Sequence, residues 1–149
     1  MAGADEPRDE GVGRGLLIDR PDHFLGGLGI RTVSESADTK VMEMAIRPDL
    51  ANPGGALHGG LIAMLVDVCA GSLAYFSADH ENGDMTATTD LTVHYLSAVT
   101  VGPARAEARI LRRGRSSFVL RVDVTDAGRD TDELAATSTI AFAVRPSRG

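Results

Sequence analysis

The chain has 149 residues, of which 43% are hydrophobic and 24% charged, so it is long enough for one domain with a substantial core. Its net charge of −6 and pI of about 5.1 argue against an anionic partner such as nucleic acid or an acidic membrane surface. A single cysteine, Cys69, excludes a disulfide framework, and together with the lack of a secretory pattern at the N-terminus it predicts a cytoplasmic protein.

The first part of the chain is predicted to carry no chemistry. Residues 1–15 are rich in glycine and charge and lack apolar periodicity, so we expect a disordered tail ahead of a single domain over residues 16–149. A short helix is expected around residues 22–25, with Gly26 and Gly27 ending it.

Two strands and a loop follow. Residues 28–36 and 40–47 are joined by a Ser-Ala-Asp-Thr turn, and the second segment alternates apolar with polar side chains, which predicts a hairpin with one apolar face. Residues 48–55 hold two prolines and two glycines, which is typical of a loop. Asn52 lies in this loop, where an asparagine before Pro53 is also ordinary turn chemistry.

The most hydrophobic stretch of the chain runs from Leu61 to Phe76 and is interrupted by one carboxylate, Asp67. It contains no proline, and the segment from Leu57 onward therefore predicts a helix of about 30 Å. A helix that is apolar nearly all round has to be buried on most faces, so a sheet is expected to wrap it. A transmembrane helix is disfavoured because the apolar stretch is shorter than about 20 residues and carries a charge near its middle.

Gly59 and Gly60 occupy the first turn of this helix, where each costs about 1 kcal/mol of helix propensity relative to alanine. A helix N-terminus has unpaired N–H groups and the positive end of the macrodipole. Without side chains, it lets a ligand oxygen reach those groups, as in an oxyanion hole. The alternative is that the glycines only allow the helix start to pack closely against a strand.

Asp67 is the second unusual feature, because an ionised carboxylate in apolar surroundings is costly. The cost is avoided if the carboxylate is hydrogen-bonded, if it forms an ion pair, or if its pKa is raised so that it becomes neutral. It is therefore a functional candidate, the alternative being a carboxylate satisfied by backbone or hydroxyl groups. Asp67 lies eight residues after Gly59, about 12 Å further along the helix axis, so the two cannot serve one carbonyl from a single helix. If both act, the simplest arrangement is two antiparallel helices about a two-fold axis, with Gly59 of one copy meeting Asp67 of the other.

The rest of the chain predicts strands. Residues 78–84 form an acidic turn, but its spacing does not match a calcium loop and the four histidines form no close ligand pair, so no metal site is predicted. Residues 85–96 alternate as a long strand with one face towards the helix. Three further strands are expected over residues 104–111, 117–125 and 133–144. Six strands and one long helix predict an α+β arrangement in which an antiparallel sheet curls around the helix.

One dense basic cluster stands out in this acidic chain, Arg112-Arg113-Gly114-Arg115-Ser116. Guanidinium groups beside a glycine-bearing turn suit phosphate oxygens, so the turn is a candidate anion site. The alternative is a solvated hairpin tip.

The run Asn52-Pro-Gly-Gly-Ala-Leu-His58-Gly59-Gly60, followed by Leu-Val-Asp67, resembles the signature of hotdog-fold acyl-CoA thioesterases. The resemblance is to the phenylacetate-pathway (PaaI-like) and THEM2-like group of the 4-hydroxybenzoyl-CoA thioesterase superfamily, and it extends more loosely from about residue 24 to residue 144. It implies a hotdog fold, in which a curved antiparallel sheet wraps a long central helix, and homodimers that pair into tetramers. The implied substrate is an acyl-CoA, with no cofactor, metal, nucleic acid or membrane partner.

The resemblance also implies roles for five residues. Asn52 would orient the carbonyl or a water, the Gly59 N–H would bind the thioester oxygen, and Asp67 would be general base or nucleophile. His58 would shape the helix N-terminus. Thr88 stands where THEM2-like enzymes carry a serine that helps to hold the attacking water, although threonine is also simply a good strand former.

In similar thioesterases the region that corresponds to residues 112–116 contacts the phosphates or nucleotide of CoA.

Three other functional classes are the alternatives to a thioesterase. An α/β-hydrolase is excluded, because the chain has no Gly-x-Ser-x-Gly elbow. A hotdog hydratase would pair a catalytic histidine with an acid, whereas His58 directly precedes the glycines as in the thioesterases. A non-catalytic acyl-CoA binding or sensing protein would keep the fold and the basic turn but would not need Asp67.

Overall fold

The computed structural model describes residues 17–78 and 84–146, so the tail predicted over residues 1–15 lies outside them. The described part contains two α-helices, six strands and two short 3-10 turns at Leu17–Asp19 and Pro48–Leu50. In chain order the main elements are α1 (Phe24–Gly27), β1 (Arg31–Glu35), β2 (Thr39–Met44), α2 (Gly59–Ser77), β3 (Met85–Tyr95), β4 (Ala104–Arg113), β5 (Ser117–Asp126) and β6 (Leu134–Arg145).

The six strands form one antiparallel sheet in the order β1-β2-β4-β5-β6-β3, and α2 packs against β2 to β6. The predicted α+β architecture, with six strands and one long helix, is confirmed. The short helix predicted around residues 22–25 is α1, and it ends at Gly27, so Gly26 and Gly27 are its last two residues. A side chain on Gly26 would collide with the backbone carbonyl of Arg20, so this short helix packs too closely for any larger residue there.

The sheet buries one side of α2 and leaves the opposite side partly exposed. Leu65, Val66 and Cys69 are fully buried against the strands, whereas Tyr75 and Phe76 near the end of the helix are 49% and 53% exposed. By length and composition alone Gly59–Ser77 could cross a membrane, but core helices of soluble proteins pass the same test. The expectation that a sheet wraps the helix is confirmed, and the apolar surface that a single copy leaves exposed on α2 lies mainly at Tyr75 and Phe76.

Strand β3 carries a bulge that changes which side chains face α2. The register with β6 shifts between Thr88 and Asp90, so Thr89 has no partner of its own. Before the bulge Thr88 contacts α2, and after it Tyr95 does so. The two residues are seven positions apart, so a strand without a bulge would place them on opposite faces. The predicted single continuous face of this strand is thus divided in two, as a β-bulge requires. Strand β3 is also the last in the sheet, and one of its edges has no partner strand in the described part of the chain.

The loop between β3 and β4 is held by one carboxylate. Asp126, which is 4% exposed, accepts hydrogen bonds from the backbone N–H groups of Thr100, Val101, Gly102 and Gly128 at 2.7–3.3 Å. Burial alone would raise the pKa of this carboxyl, but the four N–H donors outweigh it and hold the pKa below its usual value of 3.8.

Asp126→Asn is expected to destabilise the fold by about 2 kcal/mol at pH 7, since an amide oxygen cannot replace both carboxylate oxygens as acceptors. Because the folded pKa is depressed, the stabilisation is fully present above pH 3.8 and is lost as the pH falls through the folded value. Urea unfolding of both proteins at pH 7, 5 and 3 tests this: the two curves should converge at low pH. A gap of constant size would show that the charge is not what stabilises the loop.

Cys69 is fully buried on α2, with its Sγ 3.4 Å from the carbonyl oxygen of Lys40. Burial raises the pKa of this thiol to about 12, so almost no thiolate exists at neutral pH. Native protein at pH 8 should therefore resist an aromatic disulfide reagent, while denatured protein should release one equivalent per chain. Rapid labelling of the native state would contradict the buried placement of α2.

Candidate active site

The N-terminus of α2 presents one free backbone donor. His58 caps the helix, and its Nδ1 accepts the N–H of Gly60 at 3.2 Å. The N–H of Gly59 has no acceptor among residues 17–78 and 84–146. The predicted role of His58 in shaping the helix start agrees with this cap, which directs the remaining donor of the first turn, Gly59 N–H, outward.

Glycine at these two positions is not required by packing within the chain. A methyl group on Gly59 would lie 3.4 Å from the nearest ring atom of Tyr95, and one on Gly60 would lie 3.5 Å from Nδ1 of His58. Both are ordinary van der Waals distances. Close packing of the helix start against a strand therefore does not explain the glycine pair, and the absence of side chains leaves the helix N-terminus accessible to a ligand.

Asn52 organises the loop that leads to the helix. Its Oδ1 accepts hydrogen bonds from the N–H groups of Gly54 and Ala56 at 2.9 and 3.2 Å, and its own N–H bonds the carbonyl oxygen of Ala56. The carbonyl end of the side chain is thus used within the loop, and its NH₂ group is the part left to meet a ligand. The loop is fixed to the helix start by the bond from His58 N–H to the Leu50 carbonyl at 3.1 Å.

Asp67 lies in the middle of α2 and is half-buried. The Thr88 hydroxyl donates to its Oδ1 at 2.8 Å, which satisfies one carboxylate oxygen. No described residue donates a hydrogen bond to Oδ2, so that oxygen is open to a water or a ligand. Thr88 pairs with Phe142 of β6, whose buried ring lies against Gly71 of α2, so the Thr88 hydroxyl is on the helix side of the sheet.

Gly59 and Asp67 are not brought together within one chain. They stand on the side of α2 that faces β3, but eight residues of helix separate them by about 12 Å. One copy therefore holds an oxyanion-type donor and a carboxylate that cannot act on the same carbonyl.

Some residues of the basic turn hold it in place through contacts with the rest of the structure, and others form no ion pair with the described residues. Arg113 bonds the carbonyl oxygen of Ala37, the Asp38 carboxylate and the Ser77 hydroxyl, so it ties the turn to the end of α2. A side chain on Gly114 would lie only 2.9 Å from the carbonyl oxygen of Ser117, so glycine suits this tight turn.

The remaining residues of the turn have different surroundings. The Ser116 carbonyl accepts from Val144 N–H in β6, which fixes the turn to the sheet. Arg112 and Arg115 are exposed and form no ion pair with any residue that the structure describes. They are therefore the two guanidinium groups of the cluster that are available to an anion.

Tyr95 was not predicted as a site residue. Its hydroxyl donates to the Gly59 carbonyl at 2.7 Å, at the centre of the candidate site. In the sequence Tyr95 continues the alternating pattern of the strand predicted over residues 85–96. Its position near the end of that strand was therefore the one signal that could have marked it as a site residue.

Within residues 17–78 and 84–146, no three His, Cys, Asp or Glu side chains converge as ligands. The acidic turn predicted over residues 78–84 lies almost wholly outside the described residues.

Comparison with known proteins links the chain to one family. The family model described as "Thioesterase superfamily" matches residues 54–133, which include the helix and the basic turn. A putative esterase from Deinococcus radiodurans is 31% identical over 86% of this chain and 77% of the relative. Acyl-coenzyme A thioesterase 13 from Mus musculus is 30% identical over 65% of this chain and 68% of the relative.

Among solved structures, a mutant thioesterase from Pseudomonas aeruginosa superposes with a TM-score of 0.79 at 20% identity, covering 89% of this chain and 92% of the other. A thioesterase from Haemophilus influenzae gives a TM-score of 0.77 at 20% identity, covering 87% of both chains. At this level of identity the superpositions show a shared fold.

Proposed function

The chain belongs to the thioesterase superfamily of thioester hydrolases, and from this premise we propose that it hydrolyses an acyl-CoA to the free acid and CoA at a site shared by two copies of the chain. The observation that carries the proposal is a pair of open groups on one side of α2. These are the unbonded N–H of Gly59 and the Asp67 carboxylate with one oxygen free.

The surface of a single copy supports a homodimer. Strand β3 ends the sheet with an edge that no described strand pairs with, and the apolar side chains of Tyr75 and Phe76 on α2 are about half exposed. An exposed strand edge and an apolar helix face are the features that a second copy can cover. If the two-fold axis of an isologous dimer crosses α2 at right angles between Gly59 and Asp67, the two helices run antiparallel, Gly59 of one copy meets Asp67 of the other, and two equivalent sites result.

Each group has a defined part in the proposed reaction. The thioester oxygen accepts a hydrogen bond from Gly59 N–H, and Asp67 takes a proton from water as the water oxygen attacks the carbonyl carbon. The tetrahedral intermediate then collapses, the C–S bond breaks and the CoA thiolate leaves, regaining a proton from Asp67 or solvent. A single oxyanion donor typically contributes about 3–4 kcal/mol to such a step. Direct attack by the Asp67 carboxylate uses the same geometry: the C–S bond breaks, the CoA thiolate leaves, and water then hydrolyses the mixed anhydride to the free acid and restores the carboxylate.

Thr88 and Asn52 fit supporting roles in this mechanism. Thr88 holds one oxygen of Asp67, which leaves Oδ2 directed at the water. Asn52 has its NH₂ group available beside the helix start, where it can donate to the substrate carbonyl or to the water. His58 acts through the cap that it forms on Gly60.

The basic turn lies at a suitable distance for the CoA phosphates. Arg113 contacts Ser77, which lies ten residues after Asp67 and so about 15 Å along the helix. This distance is comparable to the extended pantetheine arm that separates the thioester from the phosphates of CoA. We assign Arg112 and Arg115 to the phosphates, and Arg113 to holding the turn in place.

A double substitution, Arg112→Ala with Arg115→Ala, is expected to raise KM for acyl-CoA about tenfold with little change in kcat, because two charge-assisted hydrogen bonds are lost. The same variant should hydrolyse an acyl N-acetylcysteamine thioester, which has no phosphates, as well as the wild type does. Arg121→Ala with Arg129→Ala removes the same charge elsewhere on the surface and is the matched control. Equal losses on both substrates would show that the turn does not bind the phosphates.

The proposal is tested by thiol release from short, medium, long-chain and aryl acyl-CoAs. Hydrolysis of at least one class is expected, and the preferred chain length would define the substrate. If the protein binds acyl-CoA but hydrolyses none of the panel, it is a non-catalytic acyl-CoA binding protein and the proposal is wrong.

A further inference from the structure

The hydroxyl of Tyr95 forms a direct link between the sheet and the helix N-terminus. It donates to the carbonyl oxygen of Gly59 at 2.7 Å, across 36 positions of sequence. The ring lies beside the Gly59 Cα, since a methyl group there would come within 3.4–3.7 Å of two ring carbons and the hydroxyl oxygen of Tyr95. Tyr95 is 52% exposed, so this contact is on the open side of the helix start.

The backbone of Tyr95 is itself rigidly held. It pairs with Ala136 in β6, and the next N–H, that of Leu96, bonds the Ala135 carbonyl at 2.8 Å. Seven residues earlier on the same strand, Thr88 holds Asp67. Strand β3 therefore uses two hydroxyl groups to hold the two residues of α2 to which the proposed chemistry is assigned.

The first turn of α2 needs such support. Two consecutive glycines lose more conformational entropy on ordering than any other pair of residues, and first-turn N–H groups lack intrahelical partners. Two side chains restrain this turn: His58 bonds the N–H of Gly60, and Tyr95 bonds the carbonyl of Gly59.

We propose that Tyr95 is a positioning residue for catalysis, which fixes the first peptide units of α2 so that the Gly59 N–H points at the thioester oxygen. The inference rests on the proposed function for its kinetic consequence, but the restraint itself belongs to the free protein. Small misplacements of an oxyanion donor are costly, because the hydrogen bond must be formed with the transition state.

The first test is Tyr95→Phe, which keeps the ring and removes the hydrogen bond. We expect kcat to fall about tenfold with KM unchanged, and the thermal midpoint and oligomeric mass to stay at their wild-type values. Thr92→Val removes a hydroxyl from the opposite face of the same strand and should leave kcat unchanged. An unchanged kcat in Tyr95→Phe overturns the inference.

A double-mutant cycle separates positioning from a general structural effect. In a Gly59→Pro background, which lacks the N–H, Tyr95→Phe should cause no further loss of the residual kcat. A full tenfold loss in that background would show that Tyr95 does not act through Gly59 N–H, and would overturn the proposal.

A spectroscopic measurement keeps this inference distinct from the proposed function. In protein labelled with ¹⁵N-glycine, the Gly59 amide resonance is identified by its absence in Gly59→Ala. Tyr95→Phe should shift this resonance and speed its hydrogen exchange severalfold, whether or not a substrate has been found. An unchanged resonance overturns the positioning role, whereas a wild type that hydrolyses no acyl-CoA contradicts only the proposed function.

Discussion

Asp67→Asn is expected to lower kcat for acyl-CoA hydrolysis by about 10³-fold, which is in the range for loss of a general base. The amide has nearly the same shape as the carboxylate, and its oxygen can still accept the hydrogen bond from Thr88. It cannot take a proton from water or attack a carbonyl, however, so the chemistry is lost while the local geometry is kept.

The measurement is thiol release by the variant and by wild type at equal oligomeric mass and equal thermal midpoint. Asp90→Asn makes the same chemical change on the face of β3 that points away from α2, and it should leave kcat unchanged. An Asp67→Asn protein that keeps more than a tenth of the wild-type rate would show that this carboxylate is neither base nor nucleophile.

Gly59→Pro is expected to lower kcat by about 10²–10³-fold without unfolding the protein, because proline removes the proposed oxyanion donor and nothing else in the backbone. Proline is well suited to the first position of a helix, where its missing N–H has no intrahelical partner. His58 has φ −59° and ψ 133°, which is the extended conformation that a residue before proline requires.

Gly59→Ala is the matched control for this prediction. It retains the N–H, adds a methyl group for which the chain has room, and improves helix propensity by about 1 kcal/mol. If the added side chain obstructs the substrate, kcat already falls in the alanine variant. The further fall of kcat in the proline variant then measures the contribution of the Gly59 N–H donor. Equal kcat values for the two variants would remove Gly59 N–H from the mechanism.

Much of this architecture could be predicted because the main elements carry clear hydrophobic patterns. Strand β4 alternates from Ala104 to Arg109, every second residue of β5 from Phe118 to Val124 is apolar, and the apolar stretch of α2 is too long for a strand. The pattern could not show how much of α2 the sheet of the same chain covers, because a helix face buried by that sheet and one left for another molecule are equally apolar in the sequence.

The bulge in β3 was hidden for a different reason. Thr88 and Thr89 are adjacent threonines, and threonine fits either face of a strand, so the alternation appears unbroken through the position where the register shifts. This concealed the contact of Tyr95 with the helix start. The different roles of the arginines in the basic turn were hidden as well, because the sequence does not show that Arg113 bonds three groups while Arg112 and Arg115 form no ion pair with the described residues.

The central claim is that each site combines Gly59 of one copy with Asp67 of the other, and mixed dimers test it most directly. When Asp67→Asn and Gly59→Pro chains carrying different affinity tags are co-expressed, the purified heterodimer holds one site with both defects and one intact site. We predict that it regains about half of the wild-type kcat per dimer, although each variant alone is nearly inactive. A heterodimer as inactive as its parents would show that the two residues do not act across the subunit interface.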